Sequence, residues 1–197
     1  MIDFEPSEEQ RLVRESVAEF AKSTLTPRTR EFEKAKKSYE QLLALQGDDL
    51  FALNNLANLL IDDALVPQPE QARQYSQKAY DMVKRAQPFP AAIFDTHGWV
   101  LVQCGSPEQV KEGVEILQKV VRQTALPDAH YHLAEGYIKL HDGKKALEEL
   151  RLAAQAIPEA VTRGTSVSPD LEKKIQNATQ KANEMVRADK GGEAVAQ

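Results

Sequence analysis

Four histidines, one cysteine and several carboxylate pairs are the groups whose chemistry could support catalysis or metal binding. His130 and His132 lie two apart, a spacing that points them in different directions on a helix. His97 falls on a packing position and His141 at a turn. A zinc site needs three or four convergent ligands, so these read as partly buried, hydrogen-bonded histidines, with no metal. Cys104 ends the apolar run GWVLVQC, where a buried, inert thiol is expected. Glu148-Glu149 and Asp62-Asp63 are adjacent on helices and read as solvated faces. There is no glycine-rich phosphate loop, no G-x-S-x-G and no H-E-x-x-H. The residue types therefore point to no catalytic residue and no cofactor, and the chain reads as a non-enzyme.

The elements that would carry these residues are helical. Only 6% of the 197 residues are aromatic and β-branched runs are scarce, which disfavours a sheet sandwich. A formal net charge of −5 with no basic block disfavours nucleic-acid binding. No apolar stretch approaches the roughly 18 residues a membrane span needs, and the acidic start MIDFEPSEEQ does not read as a signal peptide. A cytoplasmic location is expected, or a periplasmic one if a native export signal has been removed.

Prolines supply the punctuation, because proline is tolerated in a first helical turn and breaks helix interiors. All ten fit helix boundaries, which predicts helices near 8–24, 28–46, 50–63, 69–86, 91–104, 107–124, 128–141, 143–157 and 169–187. Ser7, Thr26 and Ser106 are expected caps. Gly47, Gly105 and Gly143 fall at the intervening turns, where a φ above zero is often required.

Residues 127–158, PDAHYHLAEGYIKLHDGKKALEELRLAAQAIP, place Leu133, Ala134 and Tyr137 on one helical face. Ala146, Leu150 and Ala153 line the next helix, and Pro158 closes the unit. This small–large spacing resembles the tetratricopeptide repeat. Two looser copies precede it. One carries Leu53, Leu56, Ala57 and Leu60, then Ala72, Ser76 and Ala79, across a turn about three residues longer than the repeat pattern. The other carries Phe94, His97, Gly98 and Leu101, then Gly113, Leu117 and Val120. DTHGWVLVQCG also looks like repeats of bacterial export and exopolysaccharide assembly proteins, which often read D-T-x-G-W. Residues 1–33, with SEEQ, RLVRESVAEFA and TPRTREFE, resemble the start of an acyl-CoA dehydrogenase, as a fusion would. That likeness stops before any flavin-binding or catalytic part of the family.

The expected fold is an all-α, right-handed solenoid of three to four helical hairpins with a C-terminal cap helix. Residues 1–27 would be a divergent or fused amphipathic helix, 28–158 the repeats, 159–187 a linker and cap, and 188–197 a disordered tail. Leu171, Ile175, Ala178, Ala182 and Met185 form the cap's apolar stripe.

The resemblance implies a groove lined by the first helix of each repeat, and hence a non-catalytic protein-interaction scaffold. Its expected partner-binding residues are Phe51, Asn54, Asn58, Asp95, Trp99, Tyr131, Glu135 and Lys139. A family member that grips acidic C-terminal tails needs several groove lysines and arginines, whereas Asn54, Asp95 and Tyr131 stand here. A protein or peptide segment other than an acidic tail is expected. The rival readings are a self-assembling homo-oligomer and an accessory segment of an export or acyl-CoA-related system.

Overall fold

In the computed structural model, residues 26–63, 67–165, 167–168 and 170–195 are described. They form α1 (Thr26–Leu45), α2 (Leu50–Asn58), α3 (Pro69–Val83), α4 (Ala91–Cys104), α5 (Pro107–Gln123), α6 (Pro127–Lys139), α7 (Gly143–Thr162) and α8 (Leu171–Val195). There is no strand among the described residues. The predicted helix 8–24, its Ser7 cap and nearly all of the acyl-CoA dehydrogenase-like segment lie outside the described residues.

The helices begin where local chemistry satisfies their first free N–H groups. Asp49 accepts from the Ala52 amide at 2.7 Å and Asp142 from the Lys145 amide at 3.1 Å. Ser106 forms a reciprocal capping box with Gln109, ahead of Pro107 in the first turn. After Asn58 the helix widens into a π-helical turn over Leu59–Asp63. An added residue in a helix is absorbed in this way, and it takes up part of the extra length noted between the two halves of this repeat.

Pro158 departs from the boundary rule, because α7 runs through it to Thr162. The carbonyl that loses its donor belongs to Ala154, an exposed residue that water can reach. Ala160, buried one half-turn beyond, holds the extension down. The glycine expectation is also corrected. Positive φ occurs at His141 (58°) and Gly164 (70°), not at Gly105 or Gly143. Gly105 is needed for space: a Cβ there would sit 2.4 Å from the Leu101 carbonyl oxygen. The last helix reaches Val195, past the point where the tail was expected to begin.

Helices pair as α2/α3, α4/α5 and α6/α7, with α1 ahead and α8 behind. The repeat residues are what the pairing buries: Leu56, Ala57 and Leu60 with Ala72 in the first hairpin, and Leu133, Ala134, Ala146, Leu150 and Ala153 in the third. Leu171, Ile175, Ala178 and Ala182 close the end of that core. The tightest crossing is α4 on α5. A Cβ on Gly113 would lie 2.7 Å from the Gly98 carbonyl oxygen, and one on Gly98 would lie 2.7 Å from Leu117 Cγ.

Helices α2, α4, α6 and α8 each touch the next in that row, whereas α3, α5 and α7 make no comparable contact with one another. A stack whose one row is closer than the other curves toward the close row. The even-numbered helices therefore form the inner face.

Gly113→Ala is expected to lower stability by about 1–3 kcal/mol, because the added methyl meets backbone that cannot step aside, outweighing alanine's helix propensity. Gly47→Ala, which meets only the Leu43 carbonyl oxygen at 3.9 Å, should leave the melting temperature unchanged or raise it. Thermal melts followed by circular dichroism compare the two.

Candidate functional site: the inner face

Counted from the first residues of α2, α4 and α6, Asn58 and Trp99 are ninth in their repeats, and Thr96 and His132 are sixth in the repeats that follow. These residues meet. Asn58 Nδ2 donates to Thr96 Oγ1 at 2.9 Å, joining α2 to α4. The His132 ring stacks on Trp99 with centroids 4.2 Å apart and planes at 18°, joining α6 to α4. The sixth–ninth pairing recurs because each inner helix is set against the next in the same register.

Around His132 the contact is polar as well as aromatic. Its Nδ1 lies 3.0 and 3.1 Å from the two carboxylate oxygens of Asp95. A carboxylate only accepts, so this nitrogen carries the proton. Tyr131 is tilted against Trp99 at 5.9 Å. The histidine two residues earlier turns the other way, toward α7: His130 Nδ1 is 2.7 Å from Glu149 Oε2. The two histidines thus hold α6 to different neighbours, one along the inner row and one within its own hairpin. No group of three or more His, Cys, Asp or Glu side chains is gathered as a metal site among the described residues.

Lys139 lies on the same inner seam. Its ammonium donates to the Val102 and Gln103 carbonyls at 2.7 and 2.8 Å, filling acceptors left free at the C-terminus of α4. Desolvation lowers its pKa below the ordinary lysine value, partly offset by the Glu135 charge one turn earlier.

The eight expected groove residues consequently divide. Phe51 is 64% exposed, its ring edge-on to Tyr39 at 5.9 Å. Glu135, Asp95, Asn54 and Asn58 are half-buried, and Asn58 spends its amide on Thr96. Lys139 remains exposed at the α6 end but is committed to the α4 carbonyls. Trp99 and Tyr131 are only 5% and 8% exposed. They face the inner row, but Trp99 is covered by Tyr131 and His132 of α6 and Tyr131 lies against Trp99 of α4, so they support the face from beneath rather than form its surface. Asn54 Oδ1 is buried with no partner among the described residues, at a cost of about 1–3 kcal/mol.

Sequence reasoning missed the Asp95–His132–Trp99 cluster and the Lys139 seam, since their members stand on different helices. The repeat register was the signal that could have found them, by setting the ninth residue of one unit against the sixth of the next.

His97 is buried completely. Its Nδ1 lies 3.2 Å from Ser76 Oγ, its ring stacks on Tyr80 at 4.6 Å, and Nε2 has no partner among the described residues. Burial pushes its pKa down to about 4, with the Asp81 charge pulling weakly upward. Cys104 is half-buried, its thiol donating to the Val100 carbonyl at 2.9 Å. Burial raises its pKa, which keeps it unreactive.

In comparison with known proteins, the chain resembles two crystal structures of MamA, each with a TM-score of 0.50. The first is 17% identical, with 83% of this chain and 93% of that one covered. The second is 18% identical, with 87% and 92% covered. At such identity the likeness concerns the fold, an all-α solenoid of tetratricopeptide-like hairpins. No family model and no curated protein matches the chain. No described helix is long and apolar enough to cross a membrane.

Two outcomes test this geometry. Trp99→Ala should cost about 3–5 kcal/mol of stability through the cavity it opens, as read by chemical denaturation. His97 is neutral when folded down to about pH 4, while the unfolded side chain takes up a proton near its ordinary value of about 6.5. Its contribution is therefore complete above the unfolded value and lost as pH falls through that window, by on the order of 3 kcal/mol. His97→Leu, which leaves Ser76 its bond to the Arg73 carbonyl, should flatten this part of the stability–pH curve.

Proposed function

We propose that the chain is a non-catalytic protein-interaction scaffold whose inner face binds a segment of a partner protein. On this reading residues 28–158 carry the repeats, and 159–187 supply the linker and cap. The observation that carries it is the state of the inner row. Its helices are locked to each other by Asn58–Thr96, His132–Asp95, Trp99–His132 and Lys139–Val102 contacts, yet a phenylalanine is left largely exposed beside them. A surface ordered before its ligand arrives loses little conformational entropy on binding. An exposed aromatic next to half-buried amides and carboxylates offers both an apolar anchor and hydrogen-bonding groups. No reaction is assigned, because the ionisable groups described on this face are spent on contacts between helices or stand singly.

The first contacts are expected at Phe51, Asn54, Asn58, Asp95 and Glu135, with Trp99 and Tyr131 holding the surface in shape and Lys139 closing the α4 end. A photoreactive amino acid placed at Phe51 or Glu135 should crosslink a partner protein in native extract, whereas one at Val161, exposed on α7, should not. Equal labelling from both positions would refute an inner-face site. Phe51→Ala, a change at an exposed position, should reduce capture about 10-fold without loss of helicity.

A further inference from the structure

We infer that the segment bound on the inner face is cationic, carrying lysine or arginine against Glu135 and an apolar side chain against Phe51. This deepens the proposed scaffold reading and rests on it.

The charges of the three inner helices of the repeats, α2, α4 and α6, support this. Their carboxylates are Asp95 on α4 and Asp128 and Glu135 on α6, all half-buried. Against them stand Lys139 and His132. Lys139 keeps its charge one turn from Glu135, but its ammonium is turned onto two backbone carbonyls of α4 and forms no ion pair among the described residues. His132 is held by Asp95 through a nitrogen already protonated in the neutral ring, so the pair keeps the Asp95 negative charge while that ring is neutral. Asp128 accepts a hydrogen bond from the Ser168 hydroxyl, which carries no charge. Glu135 makes no ion pair among the described residues. It is also the third ninth-place residue of the row. Asn58 and Trp99, its equivalents, are engaged by the sixth residues of the repeats that follow. After α7 the place of the next inner helix is taken by the cap α8, and no ion pair joins it to Glu135 among the described residues. The ninth-place position at this end is left with a carboxylate that forms no ion pair among the described residues.

Along α2, α4 and α6 an anionic segment would meet three carboxylates against a single ammonium, that of Lys139. A lysine or arginine side chain would meet Glu135 in a setting where solvent screening is reduced by half-burial. At the other end of the row, Phe51 presents its ring to an apolar side chain. The occupant that satisfies both ends spans the row, with an apolar residue toward α2 and a cation toward α6.

The test uses two randomised synthetic peptide pools matched in apolar content, one with Lys and Arg as its charged residues and one with Asp and Glu. Each is applied to the full chain, and binding is followed by fluorescence anisotropy. The Lys/Arg pool should bind. Its binding should weaken about 5-fold in Glu135→Gln and fall as salt rises from about 0.05 to 0.5 M, while Phe51→Ala weakens it independently of salt. Binding of the Asp/Glu pool equal to or tighter than the Lys/Arg pool, with Phe51→Ala still deleterious, would overturn the cationic assignment and leave the inner-face reading standing. Lys/Arg binding unchanged in both variants would place the peptide elsewhere and overturn both. Binding of neither pool at the concentrations tested would overturn the assignment as well. Both substitutions are at exposed or half-buried positions, and circular dichroism confirms that the variants fold.

Discussion

The ninth residue of one inner helix packs against the sixth residue of the next, and the rest of the structure depends on that register. Asn58 meets Thr96 and Trp99 meets His132. The spacing of α2, α4 and α6 is set by a hydrogen bond at one step and by a stacked, carboxylate-held histidine at the other. Both contacts require the helices to be close. Closeness on this row and not on the outer one bends the stack, so the same pairs that join the repeats create the concavity. They also decide which side chains remain to meet a ligand. A tryptophan at the surface of one helix becomes buried once the following helix arrives.

The hairpins beneath this row are held by size complementarity. Gly98 and Gly113 let α4 and α5 approach until each backbone nearly touches the position of the other's missing Cβ. Gly136 does the same for α6, where a Cβ would lie 2.5 Å from Val114 Cγ2. Such contacts gain from close packing along the whole crossing, and any added methyl is felt because interiors are packed to crystal density. At the last hairpin Gly143 plays this part against α8, with the Ala182 carbonyl oxygen 3.0 Å from its absent Cβ. The cap is thus joined to the final repeat as tightly as the repeats are to one another.

Much of this was legible in the sequence because a repeat buries the same places each time. Leu53, Ala57, Phe94, Gly98, Leu133 and Ala134 are buried as their spacing demanded, and α4 begins and ends at the residues the punctuation indicated. Two local signals were misread for physical reasons. Pro158 ends many such units, yet here the lost hydrogen bond falls on an exposed carbonyl and the helix continues. Gly143 resembled a turn glycine, but the left-handed turn residue is His141, and the glycine is there for helix contact. The inner face was legible as a set of positions and not as a surface. Periodicity tells which way a side chain points from its own helix; it does not tell that the neighbouring helix covers Trp99 and Tyr131, or that Lys139 turns back to cap α4.

The resulting picture is a rigid inner row with its aromatic groups inside, one exposed phenylalanine at its start and, toward its end, a glutamate that forms no ion pair among the described residues. Hydrogen exchange of the full chain, with and without a saturating Lys/Arg-containing peptide, tests the central claim most directly. Protection should increase in α2, α4 and α6 and stay unchanged in α3, α5 and the outer turns of α7. Protection gained mainly on the outer helices, or spread evenly along the chain, would contradict recognition by the inner face.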